Sequence, residues 1–190
     1  MSSKSKVKPK FIDLFCGLGG FRIGFEKAGY ECVFSSDFDP HVQETYRENF
    51  GETPYGDITK VDPKQIPDFD ILLGGFPCQP FSISGKKNGF NDTRGTLFFD
   101  VCRIIKEKNP KVVVLENVKH FINHDKKRTL NVVLNSLNEL GYFVEYKILN
   151  LKDFGLPQNR ERIFIIGTKE KYFDLNKLKI NESPPLKKFL

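Results

Sequence analysis

Phe11-Ile12-Asp13-Leu14-Phe15-Cys16-Gly17-Leu18-Gly19-Gly20 joins a short apolar run to a glycine cluster, and this junction sets the fold class. The run reads as a buried strand and the glycines as a tight turn. Phe21, Phe25 and Ala28 are then spaced for a helix that stops at Gly29, and Glu31 to Ser36 reads as a second strand. Outward from there the alternation continues. Asp39-Pro40 opens a helix with Asp39 as N-cap, Asp62-Pro63 starts a short helical turn, and Phe69 to Leu73 reads as a strand. Thr96 to Asn109 and Lys127 to Leu140 read as helices, with strands at Pro110 to Leu115, Tyr142 to Leu151 and Arg162 to Thr168. Such alternation predicts a layered α/β domain whose ligands gather at the carboxyl ends of its strands.

The chain's 190 residues suffice for one substantial core. Thirty basic against twenty-four acidic residues leave a net charge of +6, a moderate excess that suits a polyanionic partner. Part of that excess sits in residues 1–9, a lysine-rich stretch without apolar periodicity that is expected to be a disordered basic tail. Cys16, Cys32, Cys78 and Cys102 are widely spaced and form no CxxC pair, so neither a zinc site nor a disulfide framework is indicated and a reducing cytoplasm is expected. No apolar run approaches the roughly 18 residues of a membrane span, and no signal-type segment follows the basic start.

Several residues carry chemistry. The turn reads G-x-G-G, short of a full dinucleotide fingerprint, and a ligand-free strand-to-helix turn explains its glycines equally well. Asp37, twenty residues beyond Gly17, is placed to accept both hydroxyls of a ribose. Phe38 offers a ring for a purine, and Asp57, read at the next strand end, an acceptor for an adenine amino group. Cys78 follows the Phe69 to Leu73 run. Pro77 and Pro80 fix the backbone on either side of it, which favours a presented thiol over a packed one. A long segment from Gly74 to about Gly95, with Lys86, Lys87, Asp92 and Arg94, has the length of a functional loop. Glu116, carried inward by four apolar residues, is expected to hold its proton as a buried acid. Arg160 and Arg162 are expected to favour anion or base-edge binding and to place positive charge near the thiol.

Asp13-Leu14-Phe15-Cys16-Gly17-Leu18-Gly19-Gly20, Gly75-Phe76-Pro77-Cys78-Gln79-Pro80-Phe81-Ser82, Glu116-Asn117-Val118 and Gln158-Asn159-Arg160-Glu161-Arg162 together resemble, in order and spacing, the successive motifs of bacterial C5-cytosine DNA methyltransferases of the restriction-modification type. The likeness runs from Lys10 to Thr168. It implies a Rossmann-like S-adenosylmethionine-dependent methyltransferase fold, with a mostly parallel sheet and an antiparallel last strand. It further implies that Cys78 adds to C6 of a flipped-out cytosine, that Glu116 donates a proton to N3, that Arg162 meets O2, and that Arg160 supports the thiol and backbone. The cofactor is then expected on Phe15, Gly17, Gly19, Asp37, Phe38, Asp57, Ile58, Pro77 and Leu97. Double-stranded DNA is expected on Gln79, Ser82, Ser84, Lys86, Lys87 and Arg94.

The resemblance covers a catalytic domain at 10–169 and leaves 170–190 as an extension with no counterpart of the family's target-recognition region or its two last motifs. The chain is accordingly expected to be the catalytic half of a split enzyme, completed by a second polypeptide, in the cytoplasm of a bacterium and associated with its nucleoid. Two other readings stand beside this one: a non-catalytic remnant or regulatory subunit that binds cofactor or DNA, and an RNA cytosine methyltransferase.

Overall fold

The computed structural model describes residues 8–78 and 97–180. Its strands are β1 (Lys10–Leu14), β2 (Glu31–Ser36), β3 (Ile71–Gly74), β4 (Val112–Val118), β5 (Phe143–Asn150) and β6 (Glu161–Thr168). Its helices are α1 (Gly20–Lys27), α2 (Pro40–Phe50), α3 (Leu97–Lys108) and α4 (Arg128–Glu139). The strands form one six-stranded sheet in the order β2-β1-β3-β4-β6-β5. β1 pairs parallel with β2 and β3, whereas β5 and β6 pair antiparallel, as the sequence resemblance implied. Backbone contacts gather into two compact units, Met1–Gly75 with Asp100–Val113 and Phe76–Phe99 with Val114–Leu190.

In the first unit β1 pairs with parallel strands along both edges, and every residue from Phe11 to Leu14 is buried, so both its faces are covered and its run is nearly all apolar. Phe11, Ile12 and Leu14 are fully buried, as are Leu72 and Leu73 of β3, each contributing roughly 1.5–3 kcal/mol by leaving water. The chain then reverses through Phe15 (φ 55°), Gly17 (φ 53°) and Gly19 (φ 83°). Gly19 is required twice over, by its left-handed backbone and because a Cβ there would sit 2.3 Å from Phe50 Cε2. Phe50 is itself held by Arg22, whose guanidinium lies 4.4 Å from the ring centroid. The same Arg22 donates from Nε to Glu26 (2.8 Å) and from Nη1 to Tyr46 Oη (3.2 Å) and Glu52 (2.5 Å). A buried cation therefore locks α1 and α2 behind the glycine turn. Asp39 caps α2 by accepting from His41 N at 2.9 Å, as its place before Pro40 predicts.

Two boundaries in this unit differ from the sequence expectation. β3 begins at Ile71 because the Asp70 carboxylate is occupied as a cap, accepting from Lys10 N (3.0 Å) and Lys111 Nζ (2.7 Å). Asp57 ends no strand: only an isolated bridge, Ser36 to Tyr55, forms there. Asp57 instead caps a 3-10 turn, Ile58–Lys60, accepting from both the backbone and the hydroxyl of Thr59.

In the second unit β5 and β6 pair from Phe143 opposite Thr168 to Asn150 opposite Glu161. Leu130, Val133 and Leu137 form the buried stripe of α4, which stops where Gly141 takes φ 83°. β4 continues past Leu115 to Val118, so Glu116 lies within the strand and not beyond its end. The stretch after Lys169, without pattern in the sequence, is anchored on β5 by a 3-10 turn at Leu175–Lys177. Leu175 is buried, its N–H donates to Glu145, and its carbonyl accepts from Lys147 Nζ. Three residues are too short to show a period.

Asp13 on β1 is 1% exposed and neither carboxylate oxygen has a hydrogen-bond partner among the described residues. Burial pushes its pKa from 3.8 up to about 8, against the opposing pull of the Arg22 amide and guanidinium. Because the folded-state value is the higher, stability is fully present below the ordinary carboxylate range and is lost as pH rises toward 8. Wild-type unfolding free energy should fall by up to ~1.4 kcal/mol per pH unit between those limits. Asp13→Asn should flatten that slope in a denaturant titration run across the same pH series, whereas parallel slopes for the two proteins would contradict it.

Candidate active site

The second unit brings an acid and two arginines to one cavity. Glu116, on β4, pairs through Oε1 with Arg162 Nε at 2.8 Å, and both side chains are about a quarter exposed, at 25% and 23%. A cavity of about 310 Å³ is lined by Glu116, Arg160 and Arg162 together with Asn150 and the apolar side chains of Leu149, Leu151, Phe154 and Phe164. Its size lies at the small end of the about 300–1,000 Å³ typical of ligand sites. Burial pushes the Glu116 carboxyl above its usual range, and the nearby Arg162 and Arg160 only partly offset it. An acid so placed holds its proton to higher pH than a solvated carboxyl does.

The arginines stay in place because β5 and β6 meet at a polar clamp. Asn150, 8% exposed, donates from Nδ2 to Asn159 Oδ1 (2.7 Å) and accepts at Oδ1 from Arg160 N (3.1 Å). Lys119, just past β4, pairs with Glu161 at 2.8 Å and ties the end of β4 to the start of β6. Asn150 was not singled out in the sequence. An asparagine between two leucines at the end of an apolar strand is the signal that marks it.

Cys78 is partly buried, and burial alone raises its thiol pKa. The arginines expected to supply positive charge to it act instead on Glu116, since β6 runs beside β4. Cys78 is not among the cavity-lining residues, but the segment before it is fixed to the acid's own strand. Asn117 donates from a buried Nδ2 to Phe76 O at 2.8 Å, and its Oδ1 accepts from Val118 N at 2.9 Å. Phe76 is in turn wedged against Phe98 and Phe121, with ring centroids 5.5 and 5.6 Å away. Two residues on, the thiol inherits that placement.

The first unit gathers most of the residues expected to hold a nucleoside. Asp37 accepts from Gly17 N at 3.0 Å through one oxygen and from Asp39 N at 3.1 Å through the other, so the carboxylate is aligned on the glycine turn. Phe38 is 71% exposed, an open ring on that surface. The Cβ that Gly17 lacks would meet nothing within 4 Å, which leaves the turn open above its backbone. Ile58 is buried in the core, and its carbonyl and that of Val61 accept from Arg103 at 3.0 and 2.7 Å. Arg103 was missed in the sequence because it reaches the turn across more than forty residues. Pro77, exposed, and Leu97, at the start of α3, belong to the second unit. Gln79, Ser82, Ser84, Lys86, Lys87 and Arg94, like residues 1–7 of the basic tail, lie outside the described residues. Among the described residues no helix is long and apolar enough to cross a membrane.

Comparison with known proteins identifies the family. The family model for C-5 cytosine-specific DNA methylase matches residues 9–189. The chain is 60% identical over 157 residues to the type II methyltransferase M.HhaI of Haemophilus parahaemolyticus, covering 83% of this chain and 48% of that protein. It is 61% identical over 166 residues to M.HpaII of Haemophilus parainfluenzae, covering 85% of this chain and 46% of that one. Among solved structures, a putative DNA modification methyltransferase encoded within an Escherichia coli prophage superposes with a TM-score of 0.74 at 25% identity, covering 93% of this chain and 52% of that one. The chain thus spans about half the length of the curated relatives it matches. With the family model matching nearly its whole length, the chain belongs to the C-5 cytosine-specific DNA methylases.

Proposed function

We propose that this chain transfers a methyl group from S-adenosylmethionine to C5 of a cytosine flipped out of duplex DNA. The observation that carries the reading is the Glu116–Arg162 pair in an apolar-walled cavity, on a strand whose next residue, Asn117, fixes the segment leading to Cys78. When bound, S-adenosylmethionine supplies an electrophilic methyl group. The residues of the first unit fit its adenosyl part: Asp37 retains acceptor capacity for ribose hydroxyls, Phe38 offers a face for the purine, and the open glycine turn admits close backbone approach.

C5 of cytosine is a weak nucleophile, so the ring must be activated before it can take a methyl group. The Cys78 thiolate adds to C6, Glu116 delivers its proton to N3, and electron density moves to C5. Arg162 is the donor for O2 and Arg160 supports the same cavity wall. After methylation a base removes the C5 proton, the thiolate is expelled, and N3 returns its proton to Glu116, which restores the ring. A cytosine stacked in a duplex reaches none of these groups, so extrusion precedes chemistry. Gln79, Ser82, Ser84, Lys86, Lys87 and Arg94 are assigned to holding the DNA around the extruded base.

Base readout is assigned to a second polypeptide. Phe143 of β5 and Tyr172 beyond β6 are exposed on the second unit with ring centroids 5.0 Å apart, an aromatic pair suited to a partner. Sequence-specific methylation at full rate by the 190-residue chain alone would refute that assignment.

Cys78→Ser should abolish methyl transfer to a duplex substrate while S-adenosylmethionine affinity, read by calorimetry, stays within about twofold; parallel loss of both would remove the nucleophile role. Glu116→Gln should slow transfer by roughly 10²–10⁴-fold, the span of general acid catalysis, with little change in cofactor affinity. Because burial raises the Cys78 thiol, the wild-type rate should climb with pH to above the ordinary thiol range as the thiolate forms. Asn117→Ala strands the Phe76 carbonyl and should cost about 1–3 kcal/mol of stability together with a fall in kcat, measured by denaturation and single-turnover assay.

A further inference from the structure

Beyond Glu116-Asn117-Val118 the chain follows a 3-10 path, Lys119–Lys127, into α4, and the last three residues before the helix are left-handed. Asp125, Lys126 and Lys127 have φ of 49°, 56° and 70°. No glycine occupies this corner, although the region is unfavourable for any residue with a Cβ. Such strain persists where surrounding contacts over-determine it and where it serves a site.

The charges around the corner are unequally matched. Lys119 is committed to Glu161, and Arg128 to Asp125. Lys126 and Lys127 are exposed and make no ion pair among the described residues. Their backbone is anchored from both sides: His124 Nδ1 bonds with Thr129 Oγ1 at 2.7 Å, and Phe121 is buried. Through the Lys119–Glu161 pair the segment is fastened to the start of β6, the strand that carries Arg162 into the cavity. Two unpaired ammonium groups are thus held on the same end of the second unit as the acid and its arginines.

We propose that Lys126 and Lys127 grip the sugar–phosphate backbone of duplex DNA beside the extruded base. This rests on the DNA reading above and adds a contact outside the long segment after Cys78. Each phosphate neutralised releases counterions and adds about 0.9 to the slope of log affinity against log salt. The partner is a polyanion by charge complementarity, and an acidic protein surface is the competing occupant.

The test uses the full chain and a fluorescent duplex in a salt series. Lys126→Gln with Lys127→Gln should weaken binding and make the slope shallower by about 1.8, whereas Lys126→Arg with Lys127→Arg should keep both. Lys126→Gly with Lys127→Gly should lose affinity like the glutamine pair while its thermal midpoint holds or rises, since glycine relaxes the corner. An unchanged slope in both charge-removing variants, with wild type binding normally, overturns this inference alone and leaves the corner to another partner. No salt-dependent duplex binding by wild type overturns the DNA reading and this inference with it.

Discussion

The buried hydrogen bond from Asn117 Nδ2 to the Phe76 carbonyl joins two segments that the chain separates by forty residues, the acid-bearing strand and the approach to the thiol. Its strength comes from its surroundings. Phe76 is 4% and Asn117 4% exposed, so neither group has water as an alternative partner and breaking the bond leaves both unsatisfied. The aromatic contacts of Phe76 with Phe98 and Phe121 then make the carbonyl's position a consequence of core packing. The approach to Cys78 is therefore fixed by the second unit's hydrophobic interior.

Electrostatics complement that placement. Burial raises both the acid and the thiol, but the consequences are opposite in sign. A raised carboxyl gains its proton, the state needed to donate to a ring nitrogen, whereas a raised thiol loses thiolate, the state needed to attack. Arg162 and Arg160 moderate only the first. They oppose the burial that favours the protonated carboxyl without overcoming it. The thiol receives no matching help within the described residues. In the proposed reaction its activation would fall to the substrate ring, whose developing negative charge a protonated Glu116 would relieve.

Most of the element order was legible in the sequence, because apolar runs, glycine stops and the Asp39-Pro40 cap act over a few residues. What escaped was decided at longer range. β4 passes Leu115 to Val118 because strand pairing continues through residues whose side chains look polar. Asp57 was placed at a strand end, yet its Thr59 contacts make a capped turn the better use of its oxygens. Arg160 and Arg162 were expected to place positive charge near the thiol, but the fold sets both on the cavity wall beside Glu116. Arg103 and Asn150 gave little warning, since their roles depend on carbonyls and amides brought close by the fold.

Two left-handed stretches among the described residues differ in what demands them. In the turn after β1, Gly19 is demanded by Phe50, which would collide with any side chain, so conformation and packing ask for the same residue. At Asp125 to Lys127 the backbone asks for glycine and the sequence supplies a carboxylate and two lysines. Packing does not explain that choice, because both lysine side chains are exposed. Nor does ion pairing, which accounts for Asp125 through Arg128 but not for its neighbours. A corner held in a costly conformation, with two lysines unpaired among the described residues, is what the proposed phosphate contact would use, and the duplex of the proposed reaction is the polyanion that fits it.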